Sequence, residues 1–596
     1  MAPPAATVDV EVDPDTDVKV ATSFALPLPD RLTIESVAKR RAASGKLIAG
    51  VAAPAHVEHF KGRTSHAQKP LARRWDHRLS AESISRGGSS LKNAASYLKT
   101  PGLISIGGGL PSSEYFPFDE ISVKAPRLPY CAQRHNHGHG HGHGHVDSHV
   151  MHMGMHDMAD GRSGFDIATA AQYGQGHGAA QLLRWLVEHT EIIHNPPYQD
   201  WSCTMTIGST SAWEMALRML TKPGDWILSE LYTFATAVEA AQPLGVRVGA
   251  VGMDANGMLP ASLDHVLTDW DEEARGGPKP FLIYTVPTGQ NPTGSTQPIE
   301  RRKEIYAVAQ KHDLYLFEDE PYYFLQMEPY KGPTASPALA PSSHLEFLSS
   351  LVPSFLSLDT DGRVMRADSF SKVIAPGSRV GWITASEQLC QRYRTHADVS
   401  TQGPSGFSQL ILYKLLDETW GHTGYLDWLI HMRMEYTRRR DVMLDSCERH
   451  LPRDIVSWVP PMAGMFHWLE IDWKRHPHAN TMRLDEIEEA IFQKIVDHGT
   501  LLMKGSWFCA DRSAPRDTMF FRATYAAAGF DQIDEATRRF GEALRDEFGV
   551  LEAKTKDLDG AVNGSGNGVL ANGHGHGHGH GNGNSNGNGH PNGLQG

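Results

Sequence analysis

Cysteine is scarce in this chain of 596 residues. The few that occur are far apart and form no C-x-x-C pair, which excludes a disulfide framework and a zinc knuckle. We therefore expect a reducing compartment and a cytoplasmic protein. The five cysteines are Cys131, Cys203, Cys390, Cys447 and Cys509.

Long apolar runs and an excess of positive charge are also missing. No window holds 18 uninterrupted apolar residues, and the amino terminus shows no basic patch followed by an apolar stretch. We therefore predict neither a membrane span nor a secretory signal. Lys and Arg total 56 against 69 Asp and Glu, a net charge of −13. Such a chain is a poor candidate for nucleic-acid binding, which depends largely on neutralising phosphates.

The length predicts a large domain, a smaller companion and appended segments. We expect a partly disordered N-terminal extension over 1–75, an N-terminal arm with part of the small domain over 76–133, a His/Gly-rich insertion over 134–163, the large domain over 164–404, the C-terminal small domain over 405–550, and a disordered Gly/Asn/His-rich tail over 551–596.

Histidine alternates with glycine in the insertion 134–163 and again at 573–581. Clustered imidazoles can bind Zn, Ni or Cu. The alternative is a low-complexity surface segment. We favour this second interpretation, because histidines spaced by glycine have no fixed geometry to hold a metal, and we predict no metal site.

Hydrophobic patterning predicts an α/β fold with a mostly parallel sheet between helices, because apolar strands alternate with helices from about 165 to 400. Residues 405–550 are predicted to form a separate α+β domain. We also expect a helix over 77–100 and a short strand from Ile104. Predicted strands are 203–207, 226–229, 246–251, 281–286, 314–318 and 379–384, and predicted helices are 176–190, 210–220, 406–417 and 425–450.

One segment, D-S-F-S-K-V-I-A-P-G-S-R over 368–379, combines a lysine with phosphate-binding residue types. Lys372 can form a Schiff base with a carbonyl cofactor. Ser369, Ser371 and Arg379 can bind a phosphate, the arginine through paired charge-assisted hydrogen bonds. Taken alone, a lysine such as Lys372 is more commonly an ordinary exposed residue.

Two further segments place polar groups where strands end. Asp319 follows the apolar run 314–317, where ligand sites of open α/β sheets lie, and can pair with a pyridine nitrogen; a helix-capping acid is the alternative. Tyr322 can reach a cofactor oxygen or simply pack. Ser209 and Thr210 begin a helix whose free N–H groups suit a phosphate, or they only cap it.

Two more candidates are polar residues with weaker individual signals. Asn291, in N-P-T-G, can bind a phenolic oxygen, although the same letters also make a plain turn. Arg522 lies inside the strand-like run M-F-F-R-A-T-Y and needs a partner there. A substrate carboxylate is one possible partner, and an internal salt bridge is the other.

Taken in order, these segments resemble the class I aminotransferases of pyridoxal-phosphate (PLP) fold type I. The likeness is greatest to the branch of fungal aromatic-amino-acid and kynurenine/2-aminoadipate aminotransferases. It covers about 77–546 and includes I-S-I-G-G-G-L-P, Q-Y-G-Q-G-H-G, N-P-T-G, E-D-E-P-Y-Y, S-F-S-K and F-F-R-A-T-Y. The chain departs from the family in its His/Gly insertion and in having Glu320 where E-D-D-P is commoner.

The resemblance implies a large PLP-binding domain with a seven-stranded sheet and a smaller domain from the N- and C-terminal parts. It makes Lys372 the Schiff-base lysine and Arg522 the clamp for the substrate α-carboxylate. The other implied roles are Asp319 at the pyridine nitrogen, Asn291 and Tyr322 at the 3-oxygen, Tyr232 on the ring face, Ser209, Thr210, Ser369, Ser371 and Arg379 at the phosphate, Gly109 and Asn291 near the substrate, and Tyr173 at the phosphate of the neighbouring subunit in a homodimer.

The activity implied is transfer of the amino group of tyrosine, phenylalanine or tryptophan to 2-oxoglutarate. Kynurenine or 2-aminoadipate is the alternative donor, and Trp507 and Phe508 are candidates for the side-chain pocket. A PLP-dependent decarboxylase or lyase is less favoured, because Arg522 suits a carboxylate that is retained. A PLP-sensing transcription regulator is also less favoured, because the acidic leading segment offers no helix-turn-helix.

Overall fold

The computed structural model describes most of residues 33–128 and all of residues 148–550. The gaps in the first range are 46, 48, 52–54, 63–68, 95–96, 98–101, 103, 105 and 108. The predictions for the acidic first residues, the His/Gly run up to residue 147 and the tail from 551 therefore lie outside the described residues.

The described N-terminal residues form short helices and one hairpin. The continuous helix predicted over 77–100 is wrong, because Gly87 and Gly88 interrupt it and Gly88 adopts a left-handed φ of 80° that favours glycine. Ile104 is exposed and lies outside any strand. The elements are α1 (Ile34–Ser44), α2 (Ala81–Ser85), α3 (Ser90–Ala94), β1 (Glu120–Pro126) and β2 (Ser148–Gly154).

Strand β2 corrects the interpretation of 134–163 as a low-complexity surface insertion. It pairs antiparallel with β1 along the full length of both strands. Its Met151 and Met153 are buried, which gives the hairpin an apolar face that a surface segment lacks. From Ser148 onward the segment is therefore part of the folded protein.

The central sheet has seven strands in the order β3-β11-β10-β9-β8-β4-β5. Only β11 runs antiparallel to its neighbours, so the predicted mostly parallel sheet is confirmed. The strands in this part of the chain, including the small hairpin β6–β7, are β3 (Trp201–Thr206), β4 (Trp226–Glu230), β5 (Arg247–Val251), β6 (Met253–Asp254), β7 (Gly257–Met258), β8 (Leu282–Thr285), β9 (Tyr315–Asp319), β10 (Val364–Ser369) and β11 (Gly381–Ser386).

Buried apolar side chains project from both faces of the central sheet. Tyr284 and Phe317 join one buried cluster, whereas their neighbours Ile283 and Leu316 join another. Since successive side chains of a strand point to opposite faces, the sheet lies between two cores. The helices of this domain are α4 (Ile167–Ala170), α5 (Ala180–Ile193), α6 (Gly208–Leu220), α7 (Ala235–Ala241), α8 (Pro260–Thr268), α9 (Glu272–Arg275), α10 (Ile299–Lys311), α11 (His344–Ser350), α12 (Phe355–Leu358) and α13 (Glu387–Ala397).

The separation of 405–550 as a domain of its own stays a prediction. The C-terminal residues form an α+β region around an antiparallel sheet of order β12-β13-β15-β14. Its strands are β12 (Val456–Trp458), β13 (Phe466–Ile471), β14 (Met503–Lys504) and β15 (Met519–Thr524), and its helices are α14 (Gly406–Tyr413), α15 (Gly421–His450), α16 (Leu484–Asp497) and α17 (Phe530–Phe548). A π-helical segment, Lys414–Thr419, follows α14. Among the described residues, no helix is both long and apolar enough to cross a membrane.

Candidate active site

Three of the predicted site residues follow adjacent parallel strands of the central sheet. Asp319 is the last residue of β9, Lys372 lies in the turn after β10, and Asn291 lies in the loop after β8. The carboxyl ends of parallel strands meet at one edge of a sheet, which is where open α/β sheets bind ligands. The fold therefore brings these three side chains to one edge.

The amine of Lys372 lies in a partly desolvated place with a mixed charge environment. Burial lowers its pKa, and the cations Arg379 and Arg522 lower it further, whereas Asp319 opposes the shift. A lowered pKa makes a larger share of the amine neutral, which is the form that acts as a nucleophile or a base. Lys372 is thus not an ordinary solvent-exposed lysine.

Asp319 is buried and has one oxygen committed to the protein. Its Oδ2 accepts a hydrogen bond of 2.7 Å from the hydroxyl of Tyr284, whereas its buried Oδ1 has no hydrogen-bond partner among the described residues. Burial raises the pKa of Asp319 to about 6, against the hydrogen bond from Tyr284, the nearby Ser209 hydroxyl and the charge of Lys372. An unsatisfied buried carboxylate oxygen points to a ligand donor.

The start of α6 and the loop after β10 form a cradle around Arg379. The guanidinium donates to the hydroxyl of Ser371 at 3.3 Å and to the carbonyl of Ile207 at 3.1 Å. The hydroxyl of Ser369 donates to that of Ser371 at 2.8 Å. Gly208 has a φ of 77°, and a Cβ there would lie 2.3 Å from Nη2 of Arg379, so the close approach requires glycine.

Among the described residues, Arg379 of this cradle lacks an anionic partner and Ser209 lacks a hydrogen-bond partner. Arg379 makes no ion pair with a carboxylate in the described part of the chain. The buried Oγ of Ser209, at the start of α6, has no hydrogen-bond partner there either. Together with the free N–H groups of the helix, they suit a phosphate. Thr210, the next residue, is exposed at the same helix start.

Arg522 of β15 is held by an amide and two aromatic rings. Its Nη1 donates to Oδ1 of Asn291 at 2.7 Å. Its guanidinium lies 4.3 Å from the ring centre of Phe466 and 4.5 Å from that of Phe508. Burial lowers its pKa, and no acidic side chain of the described residues forms a salt bridge with it. The predicted alternative of an internal salt bridge is therefore wrong.

A family profile described as aminotransferase class I and II matches residues 158–540 of the chain. The chain belongs to this aminotransferase family.

Known proteins similar to the aminotransferase span most of its length. An aromatic amino acid aminotransferase of Schizosaccharomyces pombe is 45% identical over 79% of this chain and 98% of its own. An L-tyrosine:2-oxoglutarate aminotransferase of Serpula lacrymans is 34% identical over 72% of this chain and 83% of its own. The crystal structure of the aminotransferase Aro8 from Candida albicans is 41% identical, with a TM-score of 0.74 over 81% of this chain and 100% of that one.

Other predicted residues of the aminotransferase lie beside this group or away from it. The buried Tyr322 packs edge-on against Phe466, and burial raises its pKa, as does Asp319. Tyr232 packs against Trp468 and Phe520, with its hydroxyl 2.9 Å from that of Thr518. Its stacking on a cofactor ring stays a prediction.

Gly109 and Tyr173 are exposed in the described chain, and no heavy atom lies within 4 Å of a Cβ built on Gly109. Their predicted roles near the substrate and in a neighbouring subunit stay predictions. Trp507 packs on Phe492, with the amine of Lys504 over its ring. Of the two aromatic candidates for the side-chain pocket, only Phe508 contacts Arg522.

Sequence reasoning missed Tyr284, although it contacts Asp319 directly. Its strand, L-I-Y-T, reads as an ordinary buried run, and tyrosine is common in such strands. The available signal was its position: β8 and β9 pair in register, Tyr284 beside Phe317, which places the phenol on the same face as Asp319, two residues along.

Proposed function

We propose that the aminotransferase binds pyridoxal phosphate through Lys372. The observation that carries this proposal is the buried Oδ1 of Asp319, which has no hydrogen-bond partner among the described residues. The same carboxyl group lies close enough to Lys372 to affect its pKa. A protonated pyridine nitrogen is a donor of the right charge for that oxygen. Arg379, which has no carboxylate partner among the described residues, and Ser209 then suit the phosphate of the same molecule.

We assign the other contacts with pyridoxal phosphate from the positions of the residues in the chain. Asn291 and Tyr322 are proposed to hold the 3-oxygen, and Tyr232 the ring face. Ser209, Thr210, Ser369, Ser371 and Arg379 are proposed to hold the phosphate, with Tyr173 of a second copy completing it.

When bound, the cofactor supplies an electron sink for the substrate carbon that loses its proton. Side chains of the protein carry out proton transfer and hold the substrate. Nζ of Lys372 is the base that accepts the α-proton, and its lowered pKa increases the neutral share of the amine. Asp319 holds a negative charge opposite the ring. The planar guanidinium of Arg522 fixes the α-carboxylate through two parallel hydrogen bonds.

The proposed reaction transfers the amino group of tyrosine, phenylalanine or tryptophan to 2-oxoglutarate by a ping-pong mechanism, giving an arylpyruvate and glutamate. The rings of Phe466 and Phe508 beside Arg522 favour an aromatic donor, because aromatic side chains pack well against one another. The relatives from S. pombe and S. lacrymans bear names of the same activity.

A homodimer in the cytoplasm completes the proposal. Large apolar side chains of the N-terminal arm are exposed in the single chain, with Leu91 at 79% and Tyr115 at 83%, and exposed apolar surface of this kind marks an interface. The described cysteines are all free, in keeping with a reducing compartment. Analytical ultracentrifugation and fluorescence microscopy of a tagged protein test these two points.

A panel of amino donors with 2-oxoglutarate, read by glutamate formation, tests the function. We expect kcat/KM for tyrosine, phenylalanine or tryptophan to exceed that for kynurenine and 2-aminoadipate. A reversed order would assign the alternative donor, and CO₂ release in place of glutamate would indicate a decarboxylase. In parallel, Lys372→Ala should lack the visible absorbance band of a covalently bound cofactor. Persistence of that band in the variant would exclude Lys372.

A further inference from the structure

A buried network of charged side chains lies behind the candidate active site, on the face of the sheet opposite Asp319. Glu318 of β9 and Glu320, the residue directly after this strand, flank Asp319 and therefore point to the other face. Arg366 of β10 pairs in register with Glu318, and Asp368 follows on the same face. Arg302 of α10 completes the network. The side chains of both glutamates and both arginines are 0% exposed, and that of Asp368 is 5% exposed.

The network holds three acids and two arginines. Arg366 binds Asp368 through two hydrogen bonds of 2.8 and 2.7 Å. Glu318 accepts two backbone N–H groups at 2.8 and 3.2 Å and lies 3.3 Å from Arg366. Full ionisation would leave one buried negative charge uncompensated, which is costly in a protein interior.

Glu320 is the acid with the weakest support for a negative charge. Its Oε1 lies 3.4 Å from Arg302 and 3.9 Å from Arg366, and its buried Oε2 has no hydrogen-bond partner among the described residues. Tyr323, the other titratable group packed here, has its ring over Arg366 at 4.5 Å. Burial raises the pKa of Glu320 to about 8, and the charge of Glu318 adds to the rise against that of the two arginines.

Glu320 also connects two parts of the candidate site. Its Oε1 accepts a hydrogen bond of 2.8 Å from the hydroxyl of Thr288, which in turn accepts one of 2.7 Å from Arg302. Thr288 lies in the loop that carries Asn291, and Arg302 also binds two carbonyls of this loop, those of Pro287 and Gln297. Asp319 immediately precedes Glu320.

We propose that Glu320 is a positioning residue that acts as a neutral carboxylic acid, fixing the loop of Asn291 to the strand of Asp319. It does not touch the cofactor or the substrate. It sets the spacing between the group that faces the ring nitrogen and the group that faces the 3-oxygen, so the inference rests on the proposed function.

The charge state is tested with Glu320→Gln, a neutral side chain of the same shape. The unfolded chain releases the proton of a glutamate above about pH 4.3, whereas the folded wild type retains it. The wild type should therefore lose stability relative to the variant as the pH rises from about 5 to about 8. We expect similar Tm values of the two holoenzymes at pH 5 and a higher Tm of Glu320→Gln at pH 8.

Glu300→Gln, which removes an exposed carboxylate from α10 near Arg302, is the matched control, and its Tm difference should not grow over the same range. If Glu320 were ionised in the folded protein, its replacement by glutamine would remove an ion-pair partner of Arg302. Glu320→Gln would then be the less stable protein at pH 8, which would overturn the inference.

The positioning role is tested at Thr288, which touches neither ligand. Thr288→Val removes the hydroxyl that joins Glu320 to the loop, whereas Thr288→Ser keeps it. We expect the valine variant to hold pyridoxal phosphate roughly tenfold more weakly and to shift the pH midpoint of the cofactor's visible absorbance, while the serine variant does neither.

The same experiment distinguishes a failure of the proposed function from a failure of the positioning role of Glu320. Wild-type protein that never acquires the visible band, even with added pyridoxal phosphate, would overturn the proposed function itself. Wild-type protein with the band, together with a valine variant that matches it in cofactor affinity and in midpoint, would overturn only the positioning role of Glu320.

Discussion

The phenol of Tyr284 donates a hydrogen bond of 2.7 Å to Oδ2 of Asp319, whereas Oδ1 has no hydrogen-bond partner in the described part of the chain. Both side chains are buried. Burial raises the pKa of Asp319 to about 6, and the hydrogen bond from the phenol keeps it from rising further. Tyr284 therefore favours the charged carboxylate and orients its free oxygen.

Replacing Tyr284 by phenylalanine should weaken cofactor binding. Loss of a hydrogen bond to a charged group costs about 1.5–3 kcal/mol, so we expect cofactor affinity to fall about tenfold or more. The pKa of Asp319 should rise, which moves the acidic limb of the pH profile of kcat/KM to higher pH. Tyr306→Phe is a matched control, because Tyr306 is bonded to the buried Asp359 in the other core. An unmoved acidic limb in Tyr284→Phe would contradict the assignment.

Gly208→Ala should damage the phosphate cradle. The new Cβ would lie 2.3 Å from Nη2 of Arg379, at a φ of 77°, so the guanidinium must move and the backbone is strained. We expect the dissociation constant for pyridoxal phosphate to rise at least about tenfold, measured by fluorescence titration. Gly377→Ala, in the loop after β10 that carries Arg379 but with no atom within 4 Å of its Cβ, should bind normally. Equal affinities of the two variants would argue against the cradle.

The sequence predicted the strands of the central sheet whose apolar pattern is visible along the chain. Six of the seven central strands were placed within two residues, because their apolar runs are bounded by turn residues. β10 was missed, since Arg366 and Asp368 interrupt its apolar pattern and are buried as a pair. Arg366 also lies 3.3 Å from Glu318 of the neighbouring strand, and no local pattern shows which strands become neighbours.

The residues of the candidate site likewise divide into those that local sequence indicates and those that only the fold brings together. Lys372, Asp319 and Asn291 follow strands, so their convergence could be inferred from strand order along the chain. The contact between Arg522 and Asn291 joins residues 231 positions apart, and only the resemblance to a family placed both residues near the substrate. Tyr284 and Glu320 act behind the ligand-facing residues, where sequence patterns carry no signal beyond burial.

Arg522→Lys should impair substrate binding more than cofactor binding. Lysine keeps the positive charge but loses the planar pair of donors that fits a carboxylate. Loss of one charge-assisted hydrogen bond predicts a fall in kcat/KM for the amino donor of about 10- to 100-fold, expressed mainly in KM. Arg438→Lys, which loses a similar stacking contact with Phe530 at 4.5 Å, is the control. An unchanged KM in Arg522→Lys would remove the carboxylate clamp from the proposal.

The N-terminal helix α1 should contribute to stability through Arg41 and the buried Glu188. Nε of Arg41 donates to this carboxylate at 3.0 Å, and His422 lies 3.2 Å from it. Although burial raises the pKa of Glu188, these two partners hold it lowered, at about 2. The stabilisation is therefore fully present above about pH 4.3, the value for an unfolded glutamate, and is lost as the pH falls toward 2.

Arg41→Met should consequently lower the free energy of unfolding at pH 7 by on the order of 2 kcal/mol, because it leaves a buried carboxylate short of a partner. The difference from wild type should shrink as the pH falls below about 4, where the carboxyl group can take up a proton. Urea unfolding of the holoenzyme at pH 7 and at pH 3.5 measures both values. Lys39→Met, on the exposed side of the same helix, should unfold like wild type at each pH. A variant at Arg41 that is as stable as the one at Lys39 would show that α1 is not held to the large domain by this ion pair.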